Sequence, residues 1–316
     1  MKKTLIAIVG PTATGKTAVG VELALRLNGE VVSADSMLVY KSMDIGTAKP
    51  TPQEQRGVPH HLIDIISPLE EYNVAKYQQH AEEAIHKIHT KNRLPIIVGG
   101  TGLYIRSIID EYNFDIPGED VEFRLHLQRQ AAEKGGVWLH NQLVQVDPVA
   151  AENIHPNNIR RVIRALEVYK LTGKPFSSMQ CASYQSKAKY QVSIFGLTMP
   201  REMLYRRIEQ RVDNMLAAGL IDEVKMLLRQ GINRSSTAMQ GLGYKEIVAY
   251  LAGETTLEAA IELLKRDTRR FAKRQLTWFR RDPRIHWIDM HNYDSTAQVT
   301  NEIINLLQEK ISVASK

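Results

Sequence analysis

Over the first 110 residues the apolar positions alternate between two periods. Short continuous runs at residues 5–9, 30–36 ("EVVSADS"), 60–66 ("HHLIDII") and 94–102 ("LPIIVGGTG") have strand length and are rich in β-branched residues. Between them lie longer segments with helical spacing. One carries Val19, Val21, Leu23, Leu25 and Leu27, and another carries Val74, Tyr77, Ala81, Ile85 and Ile88. A Gly- and Pro-rich loop, residues 43–59, separates the second and third runs. Strand and helix in alternation predict an α/β, doubly wound parallel sheet.

From about residue 115 to 190 the strand signal stops. "EDVEFRLHLQRQAAEKGG", "VWLHNQLVQVD" and "IRRVIRALEVYKLTG" are helical patterns punctuated by Gly and Pro. "YQVSIFGLTM", residues 190–199, returns to strand and is expected to rejoin the sheet. The remainder reads as mainly helical, over 201–219, 220–230, 244–252 and 257–281. The expected organisation is a core of residues 1–114 and 190–316, interrupted by an all-helical insertion of residues 115–189. The helix at 257–281 turns Ile261, Leu264, Thr268, Phe271, Gln275 and Trp278 to one face, and Gln275 on that apolar face needs a hydrogen-bond partner.

Composition adds little to this picture, and charge adds more. Of 316 residues, 43% are hydrophobic and 24% charged, the balance of an ordinary globular chain. The single cysteine, Cys181, excludes an intrachain disulfide and a cysteine-rich zinc site, and fits a reducing compartment. The opening "MKKTLIAIVGP" has two lysines before an apolar run, but Gly10-Pro11 ends that run too early for a signal peptide. No stretch has the length of a membrane span, so a cytoplasmic protein is expected. Net charge is +6, and residues 265–284 alone hold nine Lys/Arg against two Asp, a net of +7, leaving about −1 for the rest. Cations so concentrated predict a polyanionic partner.

The first strand runs into Gly10-Pro11-Thr12-Ala13-Thr14-Gly15-Lys16-Thr17, and a helix follows at once. Strand, glycine loop and helix in this order are the P-loop, as in P-loop NTPases. Glycines let backbone N–H groups converge on an anion, Lys16 adds charge, and the helix N-terminus adds its dipole. The Thr17 hydroxyl is a candidate Mg²⁺ ligand. The motif says "phosphate" without saying whether a phosphoryl group moves.

Three further features bear on that choice. Asp35 closes the second strand, at the end where open α/β sheets bind ligands, as a carboxylate facing a reacting group or as a cap. The fourth strand ends in Gly99-Gly100-Thr101, where P-loop kinases usually carry an acid. Arg207 and Arg211 stand four residues apart on one helical face, with Arg201 near its start, while Arg266, Arg270, Lys273 and Arg281 share a face of the 257–281 helix.

"GPTATGKT", "SADSMLVYKSMDIGTAKP", "PHHLID", "VGGTGLYI", "IHPNNIRRVIRALEVY", "GLGYKE" and "AKRQLTWFR" together resemble the bacterial tRNA dimethylallyltransferases, over nearly the whole chain. The resemblance implies transfer of a dimethylallyl group from dimethylallyl diphosphate to N6 of the adenosine 3′ to the anticodon, in tRNAs reading codons that begin with U. The P-loop would then hold the diphosphate of a prenyl donor. Lys16, Thr17 with Mg²⁺ and Arg207 would stabilise the departing diphosphate. Asp35 would take the N6 proton late in the reaction, and Thr101 would contact the tRNA. The resemblance also implies tRNA contacts at Ser36, Met37 and Leu38 beside Asp35, at Arg124, at Ile159, Arg160, Arg161, Val162 and Ile163, and at Gln240, Gly241, Leu242, Gly243, Tyr244 and Lys245. Arg270 and Lys273 of the basic segment join this set. The insertion would grip the anticodon stem-loop, and no obligate protein partner is implied. Asn158 stands where relatives often have aspartate, and the zinc finger of eukaryotic relatives is missing.

Other readings share parts of this pattern. A small-molecule kinase would bind ATP at the same loop, an RNA-binding NTP switch would not catalyse, and an adenylate isopentenyltransferase would prenylate free AMP. The basic segment and the insertion favour tRNA.

Overall fold

The computed structural model describes residues 3–110, 118–181 and 189–314. The chain divides into two compact units, Met1–Ile109 with Lys189–Lys316, and Asp110–Ala188. The boundary expected at 114–115 lies outside the described residues.

In the first unit β1 (Lys3–Val9) leads to α1 (Lys16–Arg26), then β2 (Gly29–Ala34), α2 (Pro52–Gln55), β3 (His60–His61), α3 (Val74–Thr90), β4 (Leu94–Gly99) and α4 (Gly102–Ile109). The second unit holds α5 (Val121–Lys134), α6 (Gly136–Val146), α7 (Pro148–Asn153), α8 (Ile159–Thr172) and α9 (Phe176–Cys181). The chain returns to the first unit with β5 (Tyr190–Thr198), α10 (Arg201–Ala217), α11 (Leu220–Arg229), α12 (Tyr244–Leu251), α13 (Leu257–Phe279), β6 (Ile285–Asp289) and α14 (Thr296–Ala314).

The sheet has six parallel strands in the order β3-β2-β4-β1-β5-β6. Its central strand explains the double winding. Leu5, Ala7 and Val9 pack with Tyr77 and Ile85 of α3 and Tyr104 of α4, whereas Ile6 and Ile8 pack with Val19 and Leu23 of α1 and Ile303 of α14. Successive side chains of a strand face opposite sides, so a strand covered on both faces must be apolar throughout. Each large aliphatic side chain buried in this way contributes roughly 1.5–3 kcal/mol over its exposed state. The second unit has its own apolar centre, in which Leu139 and Leu143 of α6 meet Val162, Ile163 and Leu166 of α8.

One expectation needed correction. The run "HHLIDII" is a strand only at His60–His61, because Leu62 and Asp64 take left-handed backbone, φ +64° and +56°, which no strand tolerates. The segment resumes only as a single bridge between Tyr40 and Ile66. The C-terminal part is mainly helical, as expected, and β6 adds an unexpected sixth strand beside β5, pairing Ile194 with Ile285 through Thr198 with Asp289. Among the described residues no helix is long and apolar enough to cross a membrane.

Candidate functional site

The glycine loop is shaped from behind by the sheet. Gly10 leaves β1 at φ +138°, and a Cβ there would stand 2.5 Å from the Leu197 carbonyl oxygen on β5, so only glycine fits. Within the loop the Pro11 carbonyl accepts from Thr14 Oγ1 at 2.8 Å and from Lys16 Nζ at 2.6 Å. Gly15 caps α1 without a side-chain hydrogen bond, leaving the helix's first N–H groups available to an anion. From α13, Gln275 reaches the loop, and its Oε1 accepts from the Thr12 N–H at 2.9 Å.

The loop forms one wall of a cleft of about 520 Å³. Thr12, Ala13, Gly15, Lys16 and Thr17 line it, while Gly10, Pro11 and Thr14 lie outside the lining. The polar lining beyond the loop includes Asp35, Thr47, Gln275 and Arg211, and Leu38, Val98 and Phe271 supply an apolar part. Six charged side chains line it, the cations Lys16, Arg56 and Arg211 and the carboxylates Glu22, Asp35 and Glu54. Burial holds the Lys16 ammonium down to about pKa 7, with Arg211 pushing the same way and Asp35 opposing. Burial also lowers the Arg211 guanidinium, with Asp35 and Glu54 opposing it. Lys16 and Arg211 are both held below their ordinary values by burial, and an anionic ligand beside them would favour their charged forms.

Asp35 follows the last residue of β2, and its Oδ1 accepts from the Met37 N–H at 2.8 Å. Thr101 fixes the same turn from β4. Its Oγ1 accepts from the Ser36 N–H at 3.2 Å, and its own N–H donates to the Ala34 carbonyl at 3.1 Å. Thr101, Ser36 and Met37 thus hold the turn that aims Asp35, while Asp35 and Leu38 are the members that line the cleft.

Thr17 is exposed at the mouth of the loop. Among the described residues its hydroxyl has no partner, and no group of three or more His, Cys, Asp or Glu is arranged to hold a metal. A hydroxyl and the Asp35 carboxylate in one cleft suit Mg²⁺, which takes few protein ligands and completes its shell from water and phosphate oxygens.

The arginine pair of α10 separates cleanly. Arg207 is exposed and does not line the cleft, whereas Arg211 does, one turn further on. The guanidinium of Arg211 donates to the Thr47 carbonyl at 3.1 Å. Helical spacing puts both arginines on one face without saying which end of that face meets the loop.

The stretches read as RNA-contacting have mixed placements. Met37 packs into the space left by Gly241, where a Cβ would stand 2.5 Å from the Met37 methyl, so the segments 35–38 and 240–243 are neighbours. Gln240 is exposed, and its amide donates to the Arg234 carbonyl at 2.9 Å. Tyr244 is fully buried and donates from its hydroxyl to Glu223 at 2.7 Å. Lys245 faces Glu246 and Asp267 at 3.4 and 3.6 Å. On α13, Lys273 is exposed and its ammonium has no partner among the described residues, and Arg270 is exposed with Asp267 at 3.6 Å. In the second unit Arg160 and Arg161 are exposed on α8, while Val162 and Ile163 belong to its core. Arg124 is bound to the buried Glu167 at 2.8 Å and to Glu119 at 3.0 Å.

Three residues outside the expected set organise these places. Gln275 and Glu223 are buried polar groups whose partners lie far along the chain; for Gln275 only the requirement for a partner was visible beforehand, and for Glu223 not even that. Asn158 caps α8 by accepting from the Arg161 N–H, a task aspartate performs equally well.

Comparison with known proteins bears on the chemistry. The family described as IPP transferase matches residues 38–282. A tRNA dimethylallyltransferase of Carboxydothermus hydrogenoformans is 57% identical over 96% of this chain and 97% of its own. One from Pelotomaculum thermopropionicum is 52% identical over 96% of each chain. Among solved structures, the tRNA isopentenylpyrophosphate transferase of Bacillus halodurans superposes with a TM-score of 0.74 at 48% identity, over the full length of both chains. A eukaryotic dimethylallyltransferase acting on tRNA superposes with a TM-score of 0.82 at 31% identity, over 98% of this chain and 80% of its own.

Proposed function

We infer the chemistry of the cleft from the premise that this chain belongs to the IPP transferase family. It is a prenyltransferase acting on tRNA. It moves a dimethylallyl group from dimethylallyl diphosphate to N6 of the adenosine 3′ to the anticodon, in tRNAs whose codons begin with U. The observation that carries this reading is the meeting of Lys16, Arg211 and Asp35 in one cleft whose β4 end offers Gly99 and Gly100 instead of an acid.

The cations serve the leaving group. As the C1–O bond of the donor breaks, negative charge gathers on the diphosphate, against the loop N–H groups, Lys16 and Arg211. Lys16, neutral or charged near pH 7 in the free protein, becomes fully charged beside a polyanion. Thr17, with Asp35 nearby, would hold a Mg²⁺ ion, which would supply further charge neutralisation to the departing diphosphate. Arg211 takes the role assigned to Arg207 on sequence grounds, because it is the one that lines the cleft.

Asp35 serves the nucleophile. The N6 lone pair is delocalised into the adenine ring, so N6 attacks C1 late and its proton becomes acidic only as the C–N bond forms. Asp35 accepts that proton, and diphosphate leaves with the electron pair of the C–O bond. The adenine must leave the anticodon stack to reach the carboxylate. Leu38, Val98 and Phe271 give the isoprenoid an apolar wall.

The exposed cations serve tRNA. Arg270 and Lys273 of α13 and Arg160 and Arg161 of α8 are free to face phosphates. Tyr244, Val162 and Ile163 are buried, so their part in RNA binding is to hold the surrounding backbone. Incubating the protein with dimethylallyl diphosphate and unmodified tRNA, then digesting to nucleosides, tests the reading. Prenylated adenosine from that one position supports it, and unmodified tRNA together with prenylated AMP in an AMP reaction overturns it.

A further inference from the structure

We propose that Glu223 is a positioning residue for the diphosphate end of the cleft, acting through the turn at residues 43–49. The inference rests on the reading of that end as a diphosphate site.

Glu223 lies on α11 and is 8% exposed. Both of its carboxylate oxygens are used by groups outside its own helix. Oε2 accepts from the N–H groups of Asp44 at 2.8 Å and Ile45 at 2.7 Å. Oε1 accepts from the Gly46 N–H at 3.0 Å and from the Tyr244 hydroxyl at 2.7 Å. Three consecutive backbone N–H groups converging on an anion make a nest of the kind that usually holds phosphate or sulfate. Here a side chain of the protein fills it. Tyr244 closes over the turn so tightly that a Cβ on Gly46 would stand 2.5 Å from its ring.

The residue after the nest is Thr47, and its carbonyl accepts from Arg211 at 3.1 Å. That carbonyl is the only partner of the Arg211 guanidinium among the described residues. The aim of Arg211 into the cleft therefore depends on where the turn places one peptide group. The turn is held on its other side by Lys49, whose ammonium donates to the Tyr40 carbonyl at 3.0 Å and to the carboxylates of Asp44 and Asp64. Thr47 Oγ1 closes it by donating to the Met43 carbonyl at 2.6 Å. A buried carboxylate costs free energy unless its hydrogen bonds are satisfied. Glu223 spends all of its hydrogen bonds on the turn and on Tyr244.

The test compares Glu223→Gln, Tyr244→Phe and Arg211→Ala by the affinity for inorganic diphosphate, with KM and kcat for dimethylallyl diphosphate beside it. Glu223→Gln keeps the shape but points an N–H donor at backbone donors. Loss of one charge-assisted contact at Arg211 predicts a roughly tenfold weaker diphosphate affinity and a matching rise in donor KM. The fall in kcat should be smaller, with tRNA affinity at the wild-type value. Tyr244→Phe, which removes one of the hydrogen bonds to Glu223, should move the same constants less. In the double variant Glu223→Gln with Arg211→Ala, diphosphate should bind no more weakly than to Arg211→Ala alone. A folded Glu223→Gln protein with wild-type diphosphate affinity, or fully additive effects in the double variant, overturns the proposal. If Glu223→Gln does not fold, Tyr244→Phe enters the same cycle with Arg211→Ala and decides it by the same criteria. Failure of the wild-type protein to bind diphosphate overturns the diphosphate reading and this proposal together. Impaired binding in Arg211→Ala with none in Glu223→Gln overturns this proposal alone.

Discussion

Gln275 donates from Nε2 to the Gly100 carbonyl at 3.0 Å, and the same nitrogen occupies the space a Cβ on Gly100 would need, 2.2 Å away. The glycine at the end of β4 and the glutamine on the apolar face of α13 are therefore one feature. With its other atom, Oε1, Gln275 holds the Thr12 N–H of the glycine loop. A basic helix is thus pinned to the phosphate loop and to the strand that ends beside it.

Gln275→Leu removes both hydrogen bonds and leaves Thr12 N–H and the Gly100 carbonyl without protein partners. Each orphaned group costs roughly 1–3 kcal/mol. The expected result is lower stability in denaturant titration together with weaker diphosphate binding. Stability within about 0.5 kcal/mol of wild type, the range of ordinary surface substitutions, would contradict the role given to this side chain.

Arg211→Ala should raise the donor KM roughly tenfold or more, the worth of a charge-assisted hydrogen bond of about 1.5–3 kcal/mol. Arg207→Ala should leave donor KM nearly unchanged, because Arg207 is exposed and lies outside the cleft. Steady-state kinetics on the two variants checks the assignment, and the reverse pattern would return Arg207 to the site.

The difference between these two arginines illustrates what the sequence makes legible. Local signals carry far. The P-loop, the carboxylate at the end of β2 and the switch to an all-helical segment were readable because each depends on neighbours in the chain. Helical period placed Gln275 inside and demanded a partner, but the partners, Thr12 and Gly100, lie 263 and 175 residues away. Glu223 was invisible for the same reason, since its acceptors serve a turn nearly 180 residues earlier. The strand over-reading at 60–66 has a different cause. Apolar residues there pack against the core as Leu62 and Ile66, but from left-handed and bridging backbone that alternation cannot reveal. Strand β6 was missed because only Ile285 and Ile288 of its five residues are buried.

Lys16 makes stability depend on pH with a definite sign. Its pKa in the ligand-free fold is about 7, below the ordinary lysine value of 10.5, so between these values the unfolded chain holds the extra proton. Stability from this group therefore rises as pH increases through that window, and the full cost is present below pH 7. Lys16→Met removes the cost. The variant should melt higher than the ligand-free wild type at pH 6–7, with the gain shrinking toward pH 10. A gain that grows with pH would contradict the burial assigned to the ammonium.

If Arg270 and Lys273 face phosphates, tRNA affinity should fall steeply with salt, each contact adding a log–log slope of roughly −0.7 to −0.9. Replacing both by alanine should flatten the slope by about one to two units and leave diphosphate affinity unchanged. Binding titrations at several salt concentrations measure it. An unaltered slope with weakened diphosphate binding would assign these cations to the cleft instead.

The most direct measurement follows the two halves of the donor separately. Dimethylallyl diphosphate labelled with ¹⁴C in the isoprenoid and ³²P in the diphosphate is incubated with unmodified tRNA, using wild type and Asp35→Asn. With wild type, ¹⁴C should enter tRNA and ³²P should be released as diphosphate. With Asp35→Asn, carbon transfer should slow by roughly 10²–10⁴-fold, the range for a lost general base, while diphosphate still binds. Retention of ³²P in the tRNA product, or full activity of the asparagine variant, would contradict prenyl transfer assisted by Asp35.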